Sequence, residues 1–242
     1  MVHHSTPFPT LRDYEYVHNV TGPIFTDRVM PSSEPQHIYR LRMREKMWTS
    51  WSGDSYGIQY RDGTPFEVDI KGQVLTLRDR MILRDSKGNV VGVMLRMFLR
   101  LQQTFKIYGL RPFKDSQAPS DQMFEGKALY TWAEVVEKFM SVQRIMTMAD
   151  GTRYVADQVG SFLGPQHLRL TYNGRVCASA RQLNWAADFG GTSWDLTIGP
   201  GVDPCLICCF IAVIDEMKEN RKNETNLGCA LSLLLAGAAL EM

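Results

Sequence analysis

Residues Gly199 to Met217 read GPGVDPCLICCFIAVIDEM, and this stretch decides the fold. Asp203 stands where a helix N-cap would, its carboxylate able to accept the orphan backbone N–H groups of a first turn. Pro204 follows at the first helical position, where a missing N–H costs nothing. From Cys205 to Ile214 every residue is apolar. A helix that is apolar on every side has to be covered on every side. A run of about ten residues is half of what a bilayer crossing takes, so the cover has to be protein. The pattern predicts a buried core helix over about 203–217, with Leu206, Ile207, Phe210, Ile211, Val213 and Ile214 packed into its surroundings.

Those surroundings are legible upstream as strands. In Tyr39 to Arg44 the apolar side chains fall on one face and Arg40, Arg42 and Arg44 on the other, the period-two signature of a half-buried strand. The same alternation places Leu75, Leu77, Met81 and Leu83 opposite Arg78 and Arg80. In the strand after the turn cluster Asp85 to Asn89 it places Leu95, Met97, Leu99 and Leu101 opposite Arg96 and Arg100. Asp62-Gly63, Asp150-Gly151 and Asn173-Gly174 are hairpin corners. Ala133 to Met140 fits a short helix or an edge strand equally well. His167 to Tyr172 alternates again, with His167, Arg169 and Thr171 outward. Arg175 to Trp185 and Trp194 to Ile198 complete the set. Many antiparallel strands and one fully apolar helix satisfy each other if the sheet closes around the helix, which also removes its edges. The expected fold is mainly β, a closed antiparallel barrel wrapped around a buried C-terminal helix.

Residues 1–35, with five prolines among polar residues, read as an extended leader. Residues 36–219 read as the barrel and 220–242 as an apolar tail. A 242-residue chain with 44% hydrophobic residues, 22% charged residues and a net charge of +1 is ordinary for a soluble domain and has no global pull toward nucleic acid. The opening MVHHSTPFPTLRDY has no apolar core of a signal peptide, and five cysteines make no disulfide framework, so a reducing, cytoplasmic setting is expected. Asn19 and Asn223 match the glycosylation pattern, to which that setting gives little weight.

The chemistry-bearing motifs are sparse. Cys205, Cys208 and Cys209 share roughly one side of a helix, where a thiolate metal site competes with plain apolar packing. The absence of nearby histidine or a second Cys pair favours packing. There is no nucleophile elbow, Walker-type loop or H-E-x-x-H pair, and His3, His4, His18, His37 and His167 are scattered. No catalytic residue and no cofactor are expected.

Three segments in order carry a resemblance. They are GQVLTLRDRMILRDSKGNVVG from Gly72, QTFKIYG from Gln103, and WDLTIGPGVDP from Trp194 followed by FIAVIDEM from Phe210. Together they resemble the LURP-one-related family of the tubby C-terminal-like superfamily, over about Ile38 to Lys218. The resemblance implies a β-barrel enclosing the hydrophobic C-terminal helix. It implies no established activity, although tubby relatives bind phosphoinositides and phospholipid scramblases are linked to calcium and lipid translocation.

Two kinds of site follow from those relatives. From Ile38 to Lys114 there are roughly fifteen Lys and Arg against about seven Asp and Glu, so the near-neutral total hides a basic half. Arg40, Arg42, Arg44, Arg78, Arg80, Arg96 and Arg100 are the headgroup candidates, since guanidinium matches phosphate bidentately. The alternative is a solvated barrel face. A scramblase-like calcium site would draw on Asp195 and Asp203. Two carboxylates fall short of six or more oxygen ligands, and Asp203 has the capping role. The tail run 228–240 is also too short to span a bilayer and lacks a basic face, so docking on the barrel or contact with a partner is expected of it. The reading is a non-catalytic binding module for anionic phospholipid headgroups or a membrane-surface protein, with no transmembrane span. A scramblase-like protein and a structural interaction barrel are the alternatives.

Overall fold

The computed structural model describes residues 38–45, 55–73, 80–97, 100, 102–138, 143–159, 166–183 and 192–221. The leader 1–35, the stretches 74–79 and 98–99, Leu101, Arg78, Trp185, His3, His4, His18, His37, Asn19, Asn223 and the run 228–240 lie outside them.

Among the described residues fourteen strands form: β1 (Tyr39–Glu45), β2 (Tyr56–Tyr60), β3 (Val68–Gln73), β4 (Arg80–Asp85), β5 (Val90–Met97), β6 (Thr104–Gly109), β7 (Met123–Phe124), β8 (Lys127–Ala128), β9 (Tyr130–Glu137), β10 (Arg144–Met148), β11 (Arg153–Val159), β12 (His167–Tyr172), β13 (Arg175–Gln182) and β14 (Ser193–Ile198). Twelve of them close a barrel in the order β1-β14-β13-β12-β11-β10-β9-β6-β5-β4-β3-β2, every neighbour antiparallel. β7 and β8 form a separate small hairpin. One helix, α1 (204–221), runs through the interior.

The helix begins where the sequence places its cap. The Leu206 N–H donates to Asp203 Oδ1 at 3.0 Å, and the Ile207 N–H donates to the Asp203 carbonyl at 3.1 Å. The approach is pinned to the barrel, because the Gly199 N–H donates to the Cys177 carbonyl and Gly201 takes the left-handed φ of 73° that turns the chain inward. Residues 205 to 214 are each at most 1% exposed, so the barrel covers the whole circumference. Inside, a polar pair accompanies the apolar packing: the Tyr56 hydroxyl donates to Asp215 Oδ2 at 3.0 Å. α1 continues to residue 221, four residues beyond the expected end, with its last turn half-exposed at the barrel mouth.

The hairpin corners form as their residues require. At Asn173-Gly174 both residues have positive φ, 48° and 79°, the geometry of the tight turn that matches strand twist. In the Asp85 to Asn89 turn, Asp85 Oδ1 accepts from the backbone N–H groups of Lys87 and Asn89. The ambiguous stretch from Ala133 is strand β9, and it is central, flanked by β6 and β10, which rules out the short helix and the edge strand alike.

The strand parity read for β5 is reversed. Arg96 pairs with the interior residue Phe105 and shares the parity of interior Met94, so it occupies the inward register, whereas Leu95 belongs to a second cluster on the outer face. The physical reason is that this outer face is not solvated. The segment after β6 folds back with Leu110, Phe124 and Leu129 over Ile82, Val93 and Tyr108, so apolar residues are required on both faces. A bulge between Leu83 and Arg84 shifts the β4–β5 register as well. At the end of β6, Gly109 lies against the Trp132 ring, which belongs to the interior cluster and whose Nε1–H donates to the Arg111 carbonyl at 2.8 Å.

Candidate functional site

With the interior occupied by α1, exposed polar chemistry is confined to the outer face and the rims. On β1, Tyr39, Leu41 and Met43 are buried inward, which forces Arg40, Arg42 and Arg44 outward. Barrel closure then places β1 between β14 and β2, and cross-strand register builds a row: Gln59, Arg42, Asp195, Arg181, His167 and Val159, each directly opposite the next. The adjacent row runs Arg40, Thr197, Ser179, Arg169 and Asp157.

Asp195 is the organising group. Its Oδ1 lies 3.2 Å from Arg42 Nε, and its Oδ2 lies 3.3 Å from an Arg61 terminal nitrogen and 3.6 Å from one of Arg181. The carboxylate side chain is 9% exposed, whereas those of Arg42, Arg61 and Arg181 are 39%, 51% and 45% exposed. Three guanidinium groups therefore share one carboxylate, and the triad carries two positive charges in excess. Each guanidinium has five N–H donors against the roughly four acceptor positions of the carboxylate, and the three side chains are accessible to solvent. His167 closes the row, its imidazole held below the ordinary histidine value by burial first and by the Arg181 charge second, which keeps it neutral near pH 7.

Of the seven arginines named from sequence, the six that are described do not gather in one place. Arg40, Arg42 and Arg44 lie in this belt. Arg80 sits on the outer face of β4, its guanidinium carbon 5.3 Å from the Phe124 ring centroid, a cation–π contact that fixes it to the flap. Arg96 takes the inward register and Arg100 is exposed beyond β5. Arg61, Arg169 and Arg181 belong to the belt although sequence reasoning passed over them. The outward placement of Arg169 was readable from its strand, but nothing local signals that β14 and β13 abut β1. The two calcium candidates are separated: Asp195 is engaged by arginines outside, and Asp203 caps α1 inside, 4% exposed. Among the described residues no group of three or more His, Cys, Asp or Glu is placed to hold a metal ion.

The cysteines of α1 are buried thiols. Burial pushes Cys208 and Cys209 up, and the Cys177 thiol is pushed up to about 12, all far from thiolate at neutral pH. Among the described residues no helix is long and apolar enough to cross a membrane.

A family model described as LURP-one-related matches residues 39–215, from the first barrel strand to Asp215 inside the barrel. The chain belongs to the LURP-one-related family. The match covers the closed barrel and the capped core of α1, and the tubby-like superfamily relation is consistent with it. For this LURP-one-related chain no curated protein and no solved structure matches.

Proposed function

We propose that this LURP-one-related barrel is a non-catalytic module that binds anionic phosphate-bearing headgroups at a membrane surface through the belt of Arg40, Arg42, Arg44, Arg61, Arg169 and Arg181. The observation that carries the reading is the Asp195 triad, in which three half-exposed guanidinium groups share a single carboxylate. A phosphate group offers pairs of acceptor oxygens that a half-exposed guanidinium meets two bonds at a time, and its charge answers the net positive charge of the triad. Thr197, opposite Arg40, adds a half-buried hydroxyl-bearing position to the adjacent row.

Co-sedimentation with neutral vesicles and with phosphoinositide-containing vesicles, at low and high salt and with and without calcium, tests the reading. Binding is expected to the anionic vesicles only, to weaken as salt rises, and to be indifferent to calcium. At about 1 kcal/mol per basic side chain near an anionic surface, the Arg42→Ala/Arg61→Ala/Arg181→Ala variant loses on the order of a hundredfold in affinity. No binding to any vesicle by the intact protein sinks the proposal and leaves a protein-interaction barrel. Calcium-dependent lipid translocation in its place would support the scramblase-like alternative.

A further inference from the structure

The end of α1 is tied to the barrel rim on two sides: Lys218 Nζ donates to Gln182 Oε1 on β13 at 3.2 Å, and Arg221 reaches the β9–β10 pair. Glu137 and Arg144 oppose each other on β9 and β10, 8% and 3% exposed, with a terminal Arg144 nitrogen 2.9 Å from Glu137 Oε1. Arg221, on the last described turn of α1, pairs with the same Glu137 oxygen. The last described residue of α1 therefore lies beside β9–β10. One residue along each of these strands, the outward positions are Val136 and Ile145, directly opposed. Register extends them into a row across five strands: Val136, Ile145, Val155, Thr171 and Val176. All five are β-branched, half-buried and uncharged. The rows on either side carry charge, Glu134 and Arg153 on one and Asp157 and Arg169 on the other. A groove of about 500 Å³ opens beside the row, lined by Val136, Thr147, Ala149 and Gln117 among others.

We infer that this apolar stripe is the docking surface of the chain's own C-terminal segment 228–240. The occupant is chosen by position, reach and composition. Residues 222–227 extend up to ~20 Å, enough to round the rim from Arg221 to Val136. The run 228–240 is apolar and rich in small residues, so it needs an apolar surface and approaches one closely. Five strands at ~4.8 Å spacing make a stripe ~19 Å wide, a span that thirteen residues of chain are long enough to cover.

The segment carries a native reporter, Cys229, whereas Cys177, Cys205, Cys208 and Cys209 are buried and inert to mild oxidation. The full chain is prepared with Ile145→Cys or Val155→Cys, and with Asn89→Cys on an exposed turn at the other rim as the control. Each is oxidised at low concentration with copper phenanthroline and mapped by peptide mass spectrometry. A disulfide forms only when Cα atoms come within about 4.4–6.8 Å. The expected result is an intramolecular link from Cys229 to the introduced cysteine in at least one of the two stripe variants and none in the control. Absence of the internal link in both stripe variants, with melting curves like that of the parent, overturns the inference. Links formed only between chains also overturn it and make a second copy the occupant.

Discussion

Replacing Asp195 by Asn is the sharpest test of the arginine belt, because it moves stability and binding in opposite directions. The substitution keeps the size of the side chain and removes one negative charge, so the excess on the triad rises from two to three. For the fold the cost is modest. The three ion pairs, at 3.2, 3.3 and 3.6 Å, involve guanidinium groups 39%, 51% and 45% exposed, and exposed pairs contribute only about 0.2–1 kcal/mol each. Because they share one carboxylate, the expected loss is on the order of 1 kcal/mol, which in a domain of this size lowers Tm by about 2–4 °C. For binding, one added unit of positive charge beside an anionic surface contributes about 1 kcal/mol, or roughly fivefold tighter partition. Co-sedimentation with phosphoinositide-containing vesicles at low salt measures it, and the gain shrinks at high salt, where the screening length falls to about 3 Å at 1 M. Weaker binding by a folded Asp195→Asn protein would falsify the reasoning, since it would mean that the carboxylate matters by positioning the arginines and not by setting their charge.

Four further outcomes follow from the geometry. Gly109→Ala forces a Cβ into the Trp132 ring, which is held by its bond to the Arg111 carbonyl and by Phe113, so a loss of at least 1–3 kcal/mol and several degrees of Tm is expected in a thermal melt. Asp203→Ala leaves the Leu206 N–H without its acceptor inside the barrel and costs about 0.5–2 kcal/mol, whereas Asp203→Asn retains most of the cap, as paired urea melts would show. Native-state iodoacetamide labelling leaves Cys177, Cys205, Cys208 and Cys209 unmodified until the barrel is unfolded, and fast labelling of any of them in the folded protein contradicts their burial. His167 has a folded pKa below its unfolded value of about 6.5, so the unfolded chain takes the proton first and the free protein loses stability as pH falls below about 6.5. An anion beside Arg181 opposes that shift, so vesicle affinity rises over the same interval, and both trends vanish in His167→Gln.

What was legible in the sequence was what a single strand or helix encodes by itself. Asp203, Pro204 and the run from Cys205 to Ile214 specify a capped helix that must be enclosed, and that requirement alone implies closure of the sheet. The alternation of Tyr39 to Arg44 and of His167 to Tyr172 gives inward and outward faces correctly, because there the outer face meets water. Where a flap covers the outer face, as over Ile82, Val93 and Leu95, both faces are apolar and the period-two signal loses its phase, which is how Arg96 came to be read outward. The belt failed to be legible for a different reason. Its members come from β1, the turn after β2, β12, β13 and β14, and only the closing pair β1–β14 brings Arg42 to Asp195 across 153 residues of chain. A count of charges along the first half finds a basic segment and cannot find the row.

The same closure explains why binding chemistry would fall on the outside of this barrel. In an open-centred barrel inward positions line a cavity, and a ligand is read there. Here α1 fills the centre, with residues 205 to 214 at most 1% exposed, and the Tyr56–Asp215 bond between wall and helix is internal. Inward positions are thereby committed to packing against a fixed helix, where a change of one methylene is felt. Outward positions are free of that constraint and are held in register by the strand ladder, so charges placed there keep their spacing without further support. A row such as Arg42, Asp195, Arg181 and His167 is therefore a rigid template whose geometry is set by the interior and whose charge can be altered with little effect on the core. That separation is why Asp195→Asn is expected to raise affinity while leaving the barrel folded.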